Sequence, residues 1–422
     1  VTSSAVRALR RAARGAAGPL VVAVGAQSAG NLGFHAVVGR LLPADSYGAL
    51  GAVLAAMVML GVPLGTLQAA AAAVVAEHGP AQATTLRVLR AVGVWSLLPA
   101  GLVLIAAPAV GTYFHLASVL DSAQLAPYLF VTAILATARG LLLGEHRISA
   151  VATTYLVGTA VRFGLGLVLV ISYGVSGALL ATLAGEYASL VVAVAALSRG
   201  ALGTSVAQSL RLSVVARVAV AVTGLFLFST VDLLLARHHL RGAESGAYVA
   251  AATLAKTALA LPAAVMAAVF PRLVAAWGTA GRVRALAAGG VIVVGPALLG
   301  AGVLIVAAPQ VLRLLYGAGY AQATTLVRTL SAVAALTSVV SLMTYAGLAR
   351  RAVTLTLPWA GAAVEVVLIQ LRHGSAAQVA YASVAALVPT LLVMVVLEVR
   401  AWRSEHPGTA HPGPTGADRV RE

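Results

Sequence analysis

Five charged residues stand inside long apolar runs: Arg162, Glu186, Asp232, Lys256 and Glu365. A charge in such surroundings is costly, and it faces either an interior cavity or another charge. The chemistry open to these groups is recognition and ion coupling rather than bond-making. A guanidinium or ammonium at mid-depth compensates a buried phosphate, whose lost hydration must be replaced. A carboxylate in the same place can hold a proton or a sodium ion. Arg162 and Glu186 each lie 12 residues from Gly174, which sets both very roughly 15 Å from that turn at helical rise. The match leaves two readings: an ion pair across the hairpin, or a cavity-facing pair whose arginine meets an anionic cargo. Asp232 and Lys256 flank the turn near Arg241 unequally, with a depth difference of roughly 9 Å, so no pairing within their own hairpin is expected. Lys256, the one lysine in the chain, is therefore expected to join Arg162 as a cavity cation. Glu365 lies near the repeat-equivalent of Arg162 and reads as an ion-pair or coupling residue.

Weaker polar candidates are Asn31, His35 and Gln68, which could hydrogen-bond sugars. Arg40 either meets cargo or anchors at lipid headgroups. Pro63 and Pro262 interrupt corresponding apolar segments, and matched breaks of this kind point to a cavity-lining element. No Ser–His–Asp set or phosphate-cradling glycine loop is recognisable, and adjacent His238 and His239 lack further ligands at metal-binding spacing. Cysteine is absent, which removes disulfide and thiol chemistry. The chain is expected to be no enzyme and to need no metal or cofactor.

These side chains require elements that hold them at depth in an apolar medium. Of the 422 residues, 60% are hydrophobic and 9% charged, with a mean hydropathy of +0.97. A soluble domain carries about 25% charged residues. The stretch from Asn31 to His78 is two apolar segments joined by the short polar turn Arg40 to Tyr47. Each flank spans a hydrocarbon core of ~30 Å, which takes ~20 helical residues, and only helices satisfy the backbone there. Twelve such windows are predicted, near 19–39, 47–76, 88–110, 122–143, 148–172, 176–198, 214–236, 245–275, 286–308, 324–349, 352–371 and 376–399. The net charge of +16 is spread as short punctuation between these runs, so it reads as topogenic and excludes nucleic acid as the partner. With the N-terminus in the cytoplasm, roughly 20 arginines fall on the inner side against 6 on the outer side. That bias places both termini inside.

The two halves resemble each other. ADSYGALGAVLAAMVMLGVP at 44–63 aligns without gaps on AESGAYVAAATLAKTALALP at 243–262, and IAAP at 105–108 falls on VAAP at 306–309. A six-helix unit has an even number of crossings, so its copy keeps the same orientation. The expected fold is an all-α polytopic membrane protein: two six-helix lobes, related by a pseudo-two-fold along the membrane normal, around a central cavity. The expected division is a basic cytoplasmic arm at 1–18, an N-lobe at 19–199, a C-lobe at 200–399 and a disordered cytoplasmic tail at 400–422.

VVGRLLPADSYGALGAVLAAMVML at 37–60 resembles the first-to-second helix signature of the polysaccharide transporter branch of the multidrug/oligosaccharidyl-lipid/polysaccharide (MOP) flippase superfamily. LPAAVMAAVFPRLVAA at 261–276 and LRLLYGAGYAQATTLVRTLSAVAALTSV at 312–339 agree with it. Arg40, Pro43, Tyr47, Gly48, Pro271, Arg272, Gly317 and Tyr320 fall in these signatures, at positions that look like fold-defining turns. The chain lacks the two extra helices and arginine-rich cavity of the lipid II flippases, and the first-helix acid of many drug/cation antiporters. The resemblance implies export of a polyprenyl-diphosphate-linked saccharide by alternating access, in a bacterial inner membrane and in cell-surface polysaccharide synthesis. Its partners would be the lipid-linked saccharide, membrane lipid and envelope glycosyltransferases or a polymerase. The rival readings are a cation-coupled drug or metabolite exporter using Asp232 or Glu186, and a non-transporting scaffold of envelope synthesis.

Overall fold

The computed structural model describes residues 18–78, 82–199, 212–257, 290–350 and 353–405. Helix α1 is Gly18–Leu41, and α2, Ala44–Gly61, continues past a break at Val62 and Pro63 as α3, Leu64–His78. Then come α4 (Gln82–Tyr113), short α5 (Val119–Ala123), α6 (Leu125–Gly144) and α7 (Ile148–Ser198). Within α7, Gly174 has φ 54° and ψ −127°. That left-handed residue divides α7 into two antiparallel spans, and a side chain there would strain the backbone. The second half runs α8 (Leu212–Phe228), α9 (Val231–His239), α10 (242–257), α11 (Gly295–Tyr316), α12 (Thr324–Arg350), α13 (Leu357–Leu371) and α14 (Ala376–Glu405). Among the described residues, ten helices are long and apolar enough to cross a membrane. Splitting α7 at Gly174 gives eleven described spans, and α10 (242–257) falls at the start of the remaining expected window, 245–275.

The pseudo-two-fold is visible where α2 meets α10. A Cβ on Gly48 would strike Ser245, one on Gly51 would strike Val249, and one on Gly246 would strike the Ala44 backbone. These contacts lie close to the 199-residue offset of the repeat, so equivalent helices run parallel, in register, against each other. Small residues permit that approach, as helix packing in lipid requires. The largest buried cluster belongs to both lobes, joining Tyr47 and Leu50 to Tyr248, Val249, Leu312 and Tyr316. Each lobe also has its own core, around Leu135 and Leu142 in one and Val340 and Met394 in the other. Side chains such as Trp95, Ile105, Val306 and Leu371 are largely exposed on the outside of the bundle, where lipid rather than water is their solvent.

One end of the bundle, here the turn face, carries residues 40–46, 113–118, 237–244, 317–323 and 372–375; Gly174 packs there beside Leu42. The last helix extends to Glu405, past the expected boundary at 399. The basic arm, the rest of the tail, Pro262, Pro271 and Arg272 lie outside the described residues.

Candidate functional site

A cavity of about 490 Å³ lies between the lobes. From α1 it receives Ser28, Asn31 and His35, whose spacing of three and four residues puts them on one helical face. The two spans of α7 contribute Arg162, Thr182 and Glu186, and α6 contributes Tyr128. The facing wall comes from α8 to α10 and α12, with Ser229, Thr230, Thr253, Lys256, Thr257, Thr337, Ser338 and Ser341. Apolar side chains such as Leu54, Met57, Leu225 and Phe226 fill the spaces between.

Arg162 and Glu186 both reach this cavity, yet they form no salt bridge. Arg162 Nη1 donates to Asn31 Oδ1 at 2.8 Å, and the guanidinium carbon lies 4.2 Å from the centroid of the Phe34 ring. Its Nε is buried and has no hydrogen-bond partner among the described residues. The cause is local packing. A Cβ at Gly185 would sit 3.1 Å from Arg162 Cβ, so the two spans of α7 touch at this level and the arginine leaves sideways toward α1. The ion-pair reading is therefore replaced by a cation laid across an aromatic face and an amide.

Asp232 and Lys256 reverse the other expectation. Lys256 Nζ stands 3.0 Å from Asp232 Oδ1, and Tyr248 donates its hydroxyl to Asp232 Oδ2 at 2.9 Å. Counting helical rise treats side chains as points. A lysine is ~6 Å long, and helical side chains lean toward the N-terminus, which here is the direction of Asp232, so the roughly 9 Å offset closes. Ser229 and Thr230 interrupt the helix, so Asp232 occupies the first turn of α9, where the helix dipole favours an acid. Behind the main cavity a space of about 20 Å³ is lined by Asp232, Lys256, Glu365, Ser229, Thr337 and Ser383, enough for a single water. Glu365 is 1% exposed, and its Oε2 has no hydrogen-bond partner among the described residues.

The remaining candidates separate. His35 lines the cavity, and its Nδ1 is 3.1 Å from the Tyr47 hydroxyl. Gln68 does not line it; its backbone carbonyl abuts Gly140. Arg40 is also outside, at the turn face, donating Nε to the Leu315 carbonyl at 3.0 Å and Nη2 to the Leu314 carbonyl. Pro63 sits in the break between α2 and α3. His238 stacks on Tyr113, and His239 on His373, each with ring centroids 3.9 Å apart. Tyr128, Tyr248 and the serine and threonine wall were missed by the sequence reading. Their signal was present in the spacing Thr253, Lys256, Thr257 and Thr337, Ser338, Ser341, which repeats one helical face.

No protein-family model and no curated protein matches the sequence. Solved structures do match the fold. The lipid II flippase MurJ in an inward closed conformation superposes with a TM-score of 0.71 at 10% identity, covering 90% of this chain and 87% of that one. An inward-facing multidrug resistance MATE family transporter of the MOP superfamily gives 0.69 at 15% identity, over 91% and 96%. A MOP superfamily transporter from Pyrococcus furiosus gives 0.64 at 18%, over 93% and 95%. The chain has the MOP-superfamily fold. In MOP terms the described helices are two six-helix lobes, and the 490 Å³ cavity is the space between them. All of these neighbours are described as transporters or a flippase rather than enzymes.

Proposed function

We propose that this chain is a membrane flippase for a lipid-linked saccharide, a polyprenyl-diphosphate oligosaccharide or a close chemical relative, moved by alternating access. The observation that carries the reading is the division of polarity across the cavity. Lys256 is neutralised by Asp232, whereas among the described residues Arg162 forms no salt bridge and its buried Nε has no hydrogen-bond partner. Arg162 is thus the cation available to a diphosphate. The opposite wall presents oxygens whose own hydrogens are already committed. Ser229 donates to the Phe226 carbonyl, Thr257 to Thr253, Thr337 to Val333 and Ser338 to Ala335. Such hydroxyls keep only acceptor capacity, which suits the O–H groups of a sugar. Glu186 adds further acceptors. The volume lies within the ~300–1,000 Å³ of small-molecule sites, so a headgroup occupies it while the lipid tail stays in the bilayer. The process is non-covalent.

A second reading has its own observation. Glu186 lines the same cavity and forms no salt bridge among the described residues, and a carboxylate there suits a cationic drug in a cation-coupled exporter. Ligand-dependent melting separates the two, because anything that binds the folded state alone raises its stability. A short-chain polyprenyl-diphosphate sugar is expected to raise the melting temperature of the wild type and not of Arg162→Gln. Stabilisation by a lipophilic cation, lost in Glu186→Gln, would support the exporter instead.

In this proposal the turn face is the outer face of a bacterial plasma membrane, both termini are cytoplasmic, and envelope glycosyltransferases or a polymerase are the neighbours in the pathway. Because the chain has no cysteine, single cysteines report topology cleanly. Ser46→Cys and Ser404→Cys are expected to react with an impermeant thiol reagent from opposite sides; labelling of both from one side contradicts the orientation.

A further inference from the structure

The turn face is closed by two arginines that perform the same operation in opposite directions. Arg40 lies in the last turn of α1 and donates to the Leu314 and Leu315 carbonyls at the end of α11. Arg237 lies in the last turn of α9 and donates to the Phe114 carbonyl at 2.9 Å and the His115 carbonyl at 3.1 Å, just beyond the end of α4. Each arginine ends the first span of its own lobe, and each acceptor pair ends the third span of the other. The alignment of 105–108 on 306–309 carries Phe114 onto Leu315, so one acceptor of each pair coincides and the other lies one residue to either side. Both acceptor helices also stop the same way, at a left-handed residue: His115 with φ 48° and Gly317 with φ 89°.

The chemistry explains the choice of residue and place. The last carbonyls of a helix have no partner within it, and they carry the negative end of its dipole. A guanidinium offers several N–H groups in a planar fork and a charge that cannot be titrated away. Beneath the arginines the Tyr47 hydroxyl lies 3.3 Å from that of Tyr316, and Tyr320 donates to the Gly39 carbonyl at 3.2 Å, so the lobes also meet one layer deeper.

We propose that Arg40 and Arg237 are a pseudo-symmetric pair of clasps that hold the lobes together at the turn face and must release before the cavity opens there. The assignment is independent of the cargo. Every bond named for them crosses the lobe interface except the one from Arg237 to Ser245, so parting the lobes at this end breaks both clasps at once. The pair is unequal. Asp45 and Glu244 occupy equivalent repeat positions, but Asp45 accepts from Arg237 at 2.7 Å and from the Gly242 amide at 2.9 Å. Glu244 instead accepts from the Ala376 amide within its own lobe. Arg237 is 3% exposed, whereas Arg40 is open to its surroundings. The Arg237 clasp is therefore the stronger.

The test uses spin labels on Leu120→Cys and Gln322→Cys, one in each lobe at the turn face, and pulsed dipolar distance measurement in nanodiscs. Arg237→Gln is expected to raise the open, long-distance population about tenfold or more, since a charge-assisted bond is worth roughly that factor. Arg40→Gln should raise it less, and the double variant should make it the majority. Arg328→Gln is the control, because Arg328 donates to the Ile305 carbonyl at 3.0 Å within the C-lobe alone, and it should leave the distances unchanged. Should Arg237→Gln not yield monodisperse protein, Arg237→Lys is read in its place: it keeps the charge, gives up the fork and should open the face in the same direction. A double variant with the parent distribution, or an equal opening in Arg328→Gln, overturns the proposal.

Discussion

Replacing Arg162 with glutamine is expected to slow flipping of a diphosphate-linked lipid by about 100-fold or more. Two charge-assisted hydrogen bonds to phosphate oxygens at ~1.5–3 kcal/mol each supply that factor, at 1.4 kcal/mol per tenfold. The protein itself should fold. Asn31 loses a donor but still faces a polar cavity, and the Phe34 ring loses a cation worth ~0.5–2 kcal/mol. Arg162→Lys keeps the charge without the planar fork and should retain part of the activity. Initial rates in proteoliposomes, set against equal elution profiles of the three proteins, check this. Parent-like flipping by Arg162→Gln would remove the residue from cargo binding.

The second large effect falls on stability. Lys256→Met strands Asp232, 4% exposed, beside the buried Glu365, and breaking a buried pair from one side costs about 3–5 kcal/mol. The Lys256 side chain is 29% exposed to the cavity, which sets the loss toward the lower end of that range. Folded yield and melting temperature of the single variant should drop sharply. Asp232→Asn combined with Lys256→Met should recover most of the loss, because two neutral groups leave no uncompensated charge. If the single variant melts like the parent, or the double variant is as poor as the two single losses added, the pair does not act as a unit.

The spans, the repeat and the turn at Gly174 were legible in the sequence, because a bilayer forces apolar runs of one length and leaves the backbone no alternative to helix. The matched depth of Arg162 and Glu186 was legible for the same reason. Their failure to pair was not, since the direction in which Arg162 leaves its helix depends on contact at Gly158 and Gly185 across the hairpin. The Lys256–Asp232 bridge was hidden by counting rise along backbones and omitting a long side chain that leans toward its partner. Arg40 had no readable role in local pattern, because its carbonyl partners lie in the opposite lobe, at Leu314 and Leu315. Resemblance to a family led to the fold that the superpositions recover, while the cargo rests on the cavity.

The measurement that tests the account most directly is cargo selectivity of the unmodified protein in proteoliposomes. A fluorescent polyprenyl-diphosphate saccharide is expected to change leaflets faster than in protein-free vesicles, while a lipophilic cation crosses no faster than in the same controls. Flipping of the diphosphate lipid at the protein-free rate, with cation accumulation above it, would contradict the proposed function.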